Sequence, residues 1–169
     1  MNDITLYLDM DGVLADFNKA YKKIDPHKED RKKFRDSVIY HKIFVDLDFM
    51  PDAHQLLNHV SKLNGINIEI LTSMGTHDPF QAHEAKVQKL EWLKKHNIPY
   101  KANFVHDKVG KAEYANEKSI LIDDSIGCVT PFIAKMGHGI LHVNAPDSIR
   151  LLDATILQIR AIAALRSHA

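Results

Sequence analysis

The sequence predicts an α/β fold, a Rossmann-like three-layer sandwich with a mainly parallel five-stranded sheet and a small helical cap inserted after strand 1. Short apolar runs alternate with helical stretches along most of the 169 residues, and this alternation implies right-handed crossovers between parallel strands. Hydrophobic residues make up 45% of the chain, which is enough for a packed core. One charged stretch, residues 17–48, interrupts the alternation and predicts the cap.

The predicted strands are short runs rich in Ile, Leu and Val. They cover residues 4–8, 66–72, 102–105, 119–122 and 139–143. Helical spacing of apolar residues predicts the segments between and after them. These are a helix over about 51–64, a helix that ends near 96, a short turn at 111–115, and helices over 128–136 and 148–165. The helix that ends near His96 carries Val87, Leu90, Trp92 and Leu93 as its apolar positions.

The domain organisation follows from a change in composition after the first strand, where the chain becomes rich in charged residues. Residues 1–16 and 49–169 are predicted to form the core domain, and residues 17–48 the small helical cap. The cap segment is rich in charge and broken by Asp25-Pro26, yet it carries apolar residues such as Phe34 and Val38. We therefore expect a small packed insertion rather than a further part of the sheet.

Charge and composition exclude several functional classes. Lys plus Arg and Asp plus Glu number 22 each, so the formal net charge is zero, which argues against binding bulk nucleic acid or an anionic membrane. The single Cys128 cannot form an internal disulfide. No apolar run is long enough to span a bilayer, and the first residues lack a basic signal-peptide region. We expect a cytoplasmic monomer or homodimer.

Polar residues follow three of the predicted strands. They are Asp9 and Asp11, Thr72 and Ser73, and Asp123 and Asp124. The carboxyl ends of parallel strands lie at one edge of a sheet, so these side chains are expected to meet there. Clustered carboxylates repel unless a cation or a proton intervenes, and Mg²⁺ prefers such oxygen ligands. The pair Asp46 and Asp48 has the same spacing without a preceding strand, and we interpret it as structural.

The motifs DMDGVLADF, ILTS and ILIDDS, in this order, resemble those of the haloacid dehalogenase superfamily of phosphatases. Within it, DMDGVLADF and the later MPDAHQLL are similar to the cytosolic 5′(3′)-deoxyribonucleotidases and their bacterial and phage relatives. The resemblance implies a Mg²⁺-dependent phosphatase that hydrolyses a phosphomonoester, with a nucleoside (deoxy)monophosphate as the expected substrate.

The resemblance also implies a role for each matching carboxylate. Asp9 would be the nucleophile that forms an aspartyl-phosphate. Asp11 would protonate the leaving alcohol and then activate the hydrolytic water. The side chain of Asp9, the backbone carbonyl of Asp11 and the carboxylates of Asp123 and Asp124 would hold Mg²⁺, and which of the last two is a direct ligand stays open.

The same resemblance implies phosphate-binding residues. Thr72 would hydrogen-bond a phosphate oxygen, assisted by backbone amides near Ser73. A lysine is also expected to balance the carboxylates. Lys111 and Lys108 both precede the fourth strand; we favour Lys111 because it begins the helical turn that leads into that strand, and Lys108 remains the alternative.

Phe17 is the candidate for substrate recognition. It stands where the chain leaves the sheet for the cap, so its ring is placed to stack on a base, and the deoxyribonucleotidases carry a Phe at the matching place. Packing of the hinge between cap and core is the alternative role. Three other functions share these motifs: a sugar-phosphate phosphatase, a phosphatase for nucleic acid 3′-phosphate ends, and a catalytically silent phosphate-binding protein. The intact pair of Asp9 and Asp11 disfavours the last.

Overall fold

The computed structural model describes residues 4–167, and it contains a five-stranded sheet in which every neighbouring pair is parallel. The strands are β1 (Ile4–Leu8), β2 (Ile66–Ser73), β3 (Lys101–Val105), β4 (Ser119–Asp123) and β5 (His138–Leu141). Their order across the sheet is β3-β2-β1-β4-β5. The predicted α/β, Rossmann-like fold class is therefore confirmed.

Six α-helices and one 3₁₀ helix connect or follow these strands within the described residues. They are α1 (Phe17–Tyr21), α2 (Asp30–Ile39), α3 (Ala53–Val60), α4 (Pro79–Lys95), the 3₁₀ helix (Val109–Tyr114), α5 (Ile126–Ala134) and α6 (Ala145–Arg166). The helix α6 begins three residues before its predicted start because the side chain of Asn144 caps it by accepting a hydrogen bond from the Asp147 amide. No helix in residues 4–167 is both long and apolar enough to cross a membrane.

The register of the central strands brings the predicted site residues together. Leu8, at the end of β1, pairs with Ile70 of β2 on one side and with Ile122 of β4 on the other. Leu8, Ile70 and Ile122 are fully buried, so the three strand ends are fixed within the core. Asp9 and Asp123 each follow directly on this aligned row and therefore emerge at the same edge of the sheet.

The buried face of α4 differs from its apolar pattern in the sequence. Val87 and Leu90 are exposed, whereas Gln88 and Lys89 are buried together with Trp92. Gln88 is satisfied inside the protein because its amide donates to the Val38 carbonyl at 2.9 Å. Hydrogen bonds thus allow Gln88 and Lys89 to lie on the buried face of α4, although apolar spacing alone predicts Val87 and Leu90 there.

The segment predicted as a cap begins and ends at adjacent backbone positions. The amide of Asp16 donates to the carbonyl of Asp48, and the amide of Met50 donates to the carbonyl of Leu14, both at 2.8 Å. Between these points the chain forms α1 and α2. These contacts support the proposed division into a core (1–16 and 49–169) and a cap (17–48). Residues 1–3 and 168–169 of that core lie outside the described residues.

Candidate active site

A cavity of about 570 Å³ opens at the carboxyl edge of the sheet. Its polar lining includes Asp9, Asp11, Lys111, Asp123 and Asp124. Its apolar lining includes Phe17, Phe34 and Phe44 of the cap segment and Met74 of the core. The cavity therefore joins the strand-end carboxylates to the inserted segment.

Asp9 is a buried carboxylate held at the end of β1. Its amide donates to the Ile122 carbonyl at 3.0 Å, which anchors the backbone to β4. Its Oδ1 accepts a hydrogen bond from the Met10 amide at 2.8 Å and forms an ion pair with Lys111 Nζ at 2.7 Å. Burial raises the pKa of Asp9 to about 7, and Lys111 opposes this shift. The positive charge of Lys111 thus favours the ionised form of Asp9 against the effect of burial.

Lys111 bridges two carboxylates from different strands. It lies on the 3₁₀ helix, is 1% exposed, donates to Asp123 Oδ2 at 2.6 Å and forms an ion pair with Asp9. Burial by itself lowers the pKa of Lys111, but the charges of Asp9 and Asp123 more than reverse the effect and raise it above its ordinary value. Lys111 therefore carries a permanent positive charge between Asp9 and Asp123.

Lys108, the alternative lysine, occupies a different position. It is exposed, lines the cavity and donates to Ser125 Oγ at 3.0 Å. The structure thus brings Lys111, and not Lys108, into contact with Asp9. Lys108 is placed to meet a group that enters from solvent.

Asp9, Asp123 and Asp124 offer carboxylate oxygens that all lie within 4.8 Å of one another. Asp123 is fully buried, and both of its oxygens are engaged, Oδ2 by Lys111 and Oδ1 by the Ser125 amide at 2.8 Å. Partial burial and the neighbouring Asp123 raise the pKa of Asp124. Three crowded carboxylates against one nearby lysine favour an additional cation, so this donor set fits a hard divalent ion.

Gly12 makes room for this cluster. Its φ of +80° lies in the left-handed region, and a Cβ atom built there would stand 2.1 Å from Asp124 Oδ2. Any larger residue would collide with Asp124. The glycine of the DMDG motif is therefore required by both its backbone conformation and the closeness of Asp124.

Asp11 is paired with a residue that the sequence analysis missed. Lys89 of α4 is fully buried, and its Nζ lies 2.5 Å from Asp11 Oδ2. Lys89 belongs to no motif, so nothing marked it as a site residue. One signal was available, because Ala85, Lys89 and Trp92 stand at i, i+4 and i+7 and share one face of the helix.

Thr72 and Ser73 end β2 beside this pair. Thr72 is fully buried, does not belong to the cavity lining, and its hydroxyl accepts a hydrogen bond from Lys89 at 2.8 Å. Ser73 lines the cavity; its hydroxyl donates to the His106 carbonyl at 3.1 Å and accepts from the Gly75 amide at 3.0 Å. Of the two, Ser73 faces the cavity, and phosphate binding by either stays a prediction.

Phe17 lines the cavity and also packs against other rings. Its centroid lies 5.0 Å from that of Tyr21 and 5.4 Å from that of Phe44, with interplanar angles of 22° and 19°. The ring of Phe34 lies 6.5 Å away at a tilt. Phe17 is therefore the centre of an aromatic cluster that forms the apolar wall of the cavity.

Comparison with known proteins supports the fold. No protein-family model and no curated protein matches the chain. Among solved structures, a hydrolase from Streptococcus pneumoniae TIGR4 is similar, with a TM-score of 0.55 and 15% sequence identity over 90% of this chain and 100% of that one. At this level of identity the likeness shows a shared architecture.

Proposed function

We propose that this protein is a Mg²⁺-dependent phosphatase of the haloacid dehalogenase type, which hydrolyses a phosphomonoester through an aspartyl-phosphate on Asp9. The main support is the contact of the Asp9 carboxylate with the buried Lys111, at 2.7 Å, inside a cavity that Asp11 and Asp124 also line. Phosphoryl transfer depends mainly on positioning and on neutralised charge, and this arrangement supplies both.

In the first step a carboxylate oxygen of Asp9 attacks the phosphorus, and the bond between phosphorus and the ester oxygen breaks. The leaving alkoxide takes a proton from Asp11 and departs as an alcohol. In the second step Asp11 accepts a proton from water while the water oxygen attacks the phosphorus, which releases inorganic phosphate and restores Asp9. Lys111 stabilises the Asp9 carboxylate before the attack and again when phosphate is released.

The carboxylates of Asp9, Asp123 and Asp124 and the backbone carbonyl of Asp11 are the proposed metal-binding groups. Because Lys111 and the Ser125 amide engage Asp123, we assign Asp124 the direct contact and Asp123 a supporting one. A bound Mg²⁺ supplies positive charge that offsets the charge of the phosphoryl oxygens. The proposed phosphate-binding groups are Ser73, Lys108 and Lys111, which line the cavity, whereas Thr72 lies behind the lining and its hydroxyl accepts from Lys89.

The proposed substrate is a nucleoside (deoxy)monophosphate, as for a 5′(3′)-nucleotidase in the cytoplasm. The cavity is large enough for a nucleotide-sized molecule, and Phe17, Phe34 and Phe44 provide an aromatic wall near the carboxylates. The same reaction on a sugar phosphate would not need this wall, and the substrate panel below separates free nucleotides from nucleic acid 3′-phosphate ends. A silent phosphate-binding protein would not need Asp9 and Asp11 together.

A panel of nucleotides, sugar phosphates and 3′-phosphorylated oligonucleotides tests the proposal. Release of inorganic phosphate is measured with Mg²⁺, with Zn²⁺ and with EDTA. We expect turnover of nucleoside monophosphates with Mg²⁺ only, because all of the donor groups are oxygens. Full activity in excess EDTA would exclude the metal requirement, and binding of phosphate without turnover of any substrate would favour the silent protein.

A further inference from the structure

We infer that Lys89 is a positioning residue for Asp11, the proposed general acid. Lys89 holds Oδ2 of Asp11, so Oδ1 is the oxygen that has no competing protein partner. The inference rests on the proposed phosphatase function. It concerns a residue that lies outside every motif and comes from the middle of α4.

All three N–H bonds of the Lys89 ammonium are engaged by the protein. Nζ lies 2.5 Å from Asp11 Oδ2, 2.8 Å from Thr72 Oγ1 and 2.8 Å from the Ser73 carbonyl oxygen. An ammonium group has three donors, so none is left for a substrate. Because the side chain is also fully buried, Lys89 acts on substrate only through the groups that it holds.

The two oxygens of Asp11 are made different by this contact. Oδ2 is fixed by Lys89, while Oδ1 is shielded from solvent and has no hydrogen-bond partner among the described residues. It is the single such side-chain atom in residues 4–167. An unpaired buried acceptor is costly, and we infer that Asp11 Oδ1 gains its partner from a group that arrives with the substrate. A proton shared with the leaving oxygen meets that requirement.

Lys89 also joins two strand ends that the reaction needs in a fixed relation. Asp11 follows β1, whereas Thr72 and Ser73 end β2, and the ammonium contacts all three. It lies 4.5 Å from the centroid of Phe44, whose ring covers it on the cap side. Movement of Asp11 relative to Ser73 is therefore restrained by one side chain.

A purely structural lysine would fit the same burial, so the test must measure the chemistry of Asp11. The variant Lys89→Met removes the donors and keeps the length of the side chain. Lys94→Met is the matched control, because Lys94 is an exposed lysine of the same helix. The kcat values are compared for a nucleoside monophosphate, whose alkoxide leaving group needs a proton, and for para-nitrophenyl phosphate, whose leaving group does not.

We expect Lys89→Met to lower kcat about 100-fold on the nucleotide and less than about tenfold on the aryl phosphate, because general acid catalysis contributes about 10²–10⁴-fold. In an Asp11→Asn background, the further loss on the nucleotide should fall below about threefold, since residues that act as one unit are not additive. Lys94→Met should match the parent protein on both substrates.

Equal losses on the two substrates, or full additivity with Asp11→Asn, would overturn the inference and leave Lys89 a structural residue. If Lys89→Met does not fold, as judged by thermal melting, Lys89→Gln is measured in the same way, because its amide retains donors without the charge. Failure of the proposed phosphatase function would give a different result. In that case the parent protein hydrolyses neither substrate, and both proposals are wrong.

Discussion

The carboxyl edge of the sheet and the cap segment contribute opposite kinds of surface to one cavity. At the sheet edge, Lys89 and Lys111 contact Asp11, Asp9 and Asp123 at 2.5–2.7 Å, and all of these groups are fixed by directed hydrogen bonds. The rings of the cap segment lie 5.0–6.5 Å apart between centroids and have no directed bonds between them. Changes at the sheet edge should therefore affect kcat, whereas changes in the ring cluster should affect KM.

The largest effect is expected from Asp9→Asn. The amide keeps the shape of the side chain but loses the negative charge and the nucleophilicity, so kcat should fall by about 10⁴-fold or more. Phosphate release from a nucleoside monophosphate is the measurement, and circular dichroism should show an unchanged fold. Asp46→Asn is the control, because Asp46 is exposed in the cap segment, and it should retain full activity. Near-native turnover of Asp9→Asn would exclude the covalent mechanism.

Asp11→Asn should rank second and should depend on the leaving group. The variant lacks the proton donor, so we expect a loss of about 10²–10⁴-fold on a nucleotide. Para-nitrophenyl phosphate should recover part of this loss, because nitrophenolate leaves without a proton. The ratio of kcat on the two substrates is the measurement. An equal loss on both would mean that Asp11 has another role.

The two candidate lysines should differ strongly. Lys111→Ala leaves Asp9 and Asp123 facing each other without their shared cation, so we expect a loss of about 10²–10³-fold in kcat. Lys108→Ala removes an exposed contact with Ser125 and should cost less than about fivefold. Urea unfolding of both variants separates stability from catalysis. The reverse ranking in turnover would move the catalytic assignment to Lys108.

Phe17→Ala should have a smaller effect than loss of Lys111 and should separate binding from chemistry. Stacking on a base is worth about 1–3 kcal/mol, so KM for a nucleotide should rise about tenfold while kcat changes little. KM for para-nitrophenyl phosphate, which has no base, should stay the same. Phe80→Ala is the control, because Phe80 is exposed on α4 outside the cavity.

If Phe17 serves only to pack against Tyr21 and Phe44, the result differs. The melting temperature of Phe17→Ala then falls, and activity decreases equally on the nucleotide and on para-nitrophenyl phosphate. In that case the ring cluster has a structural role only. The residues at the sheet edge would carry out the reaction, and the rings would contribute packing but no substrate recognition.

The sequence allowed the fold and the strand-end carboxylates to be predicted for the same physical reason. Alternation of apolar strands and helices defines a parallel sheet, and a parallel sheet collects its strand ends at one edge. Asp9, Asp123 and Asp124 are brought within 4.8 Å in this way. The choice between Lys108 and Lys111 could be argued from position but not decided, because it depends on which side of the 3₁₀ helix faces Asp9.

Lys89 could not be predicted because it breaks the pattern on which the prediction relied. A lysine in a charged helix is ordinarily solvated, and Val87 and Leu90 suggested a different buried face. Burial of Lys89 is stabilised by contacts with Asp11, Thr72 and Ser73, which are distant in sequence. The spacing of Ala85, Lys89 and Trp92 indicates a shared helix face, but the contacts of Lys89 exist only after the sheet has formed, so the sequence pattern does not show that this lysine is buried or which groups it binds.

The most direct test of the proposed mechanism is detection of a phosphoryl group on Asp9. The Asp11→Asn variant lacks the group that activates water, so the intermediate should accumulate when it is mixed with para-nitrophenyl phosphate and Mg²⁺. The sample is quenched in acid and reduced with borohydride, and the peptide that contains Asp9 is analysed by mass spectrometry. We predict the reduction product of an acyl phosphate at Asp9, and none in Asp9→Asn. Release of nitrophenol by Asp9→Asn at the rate of the parent protein, with Asp9 of the Asp11→Asn variant unmodified, would contradict the mechanism.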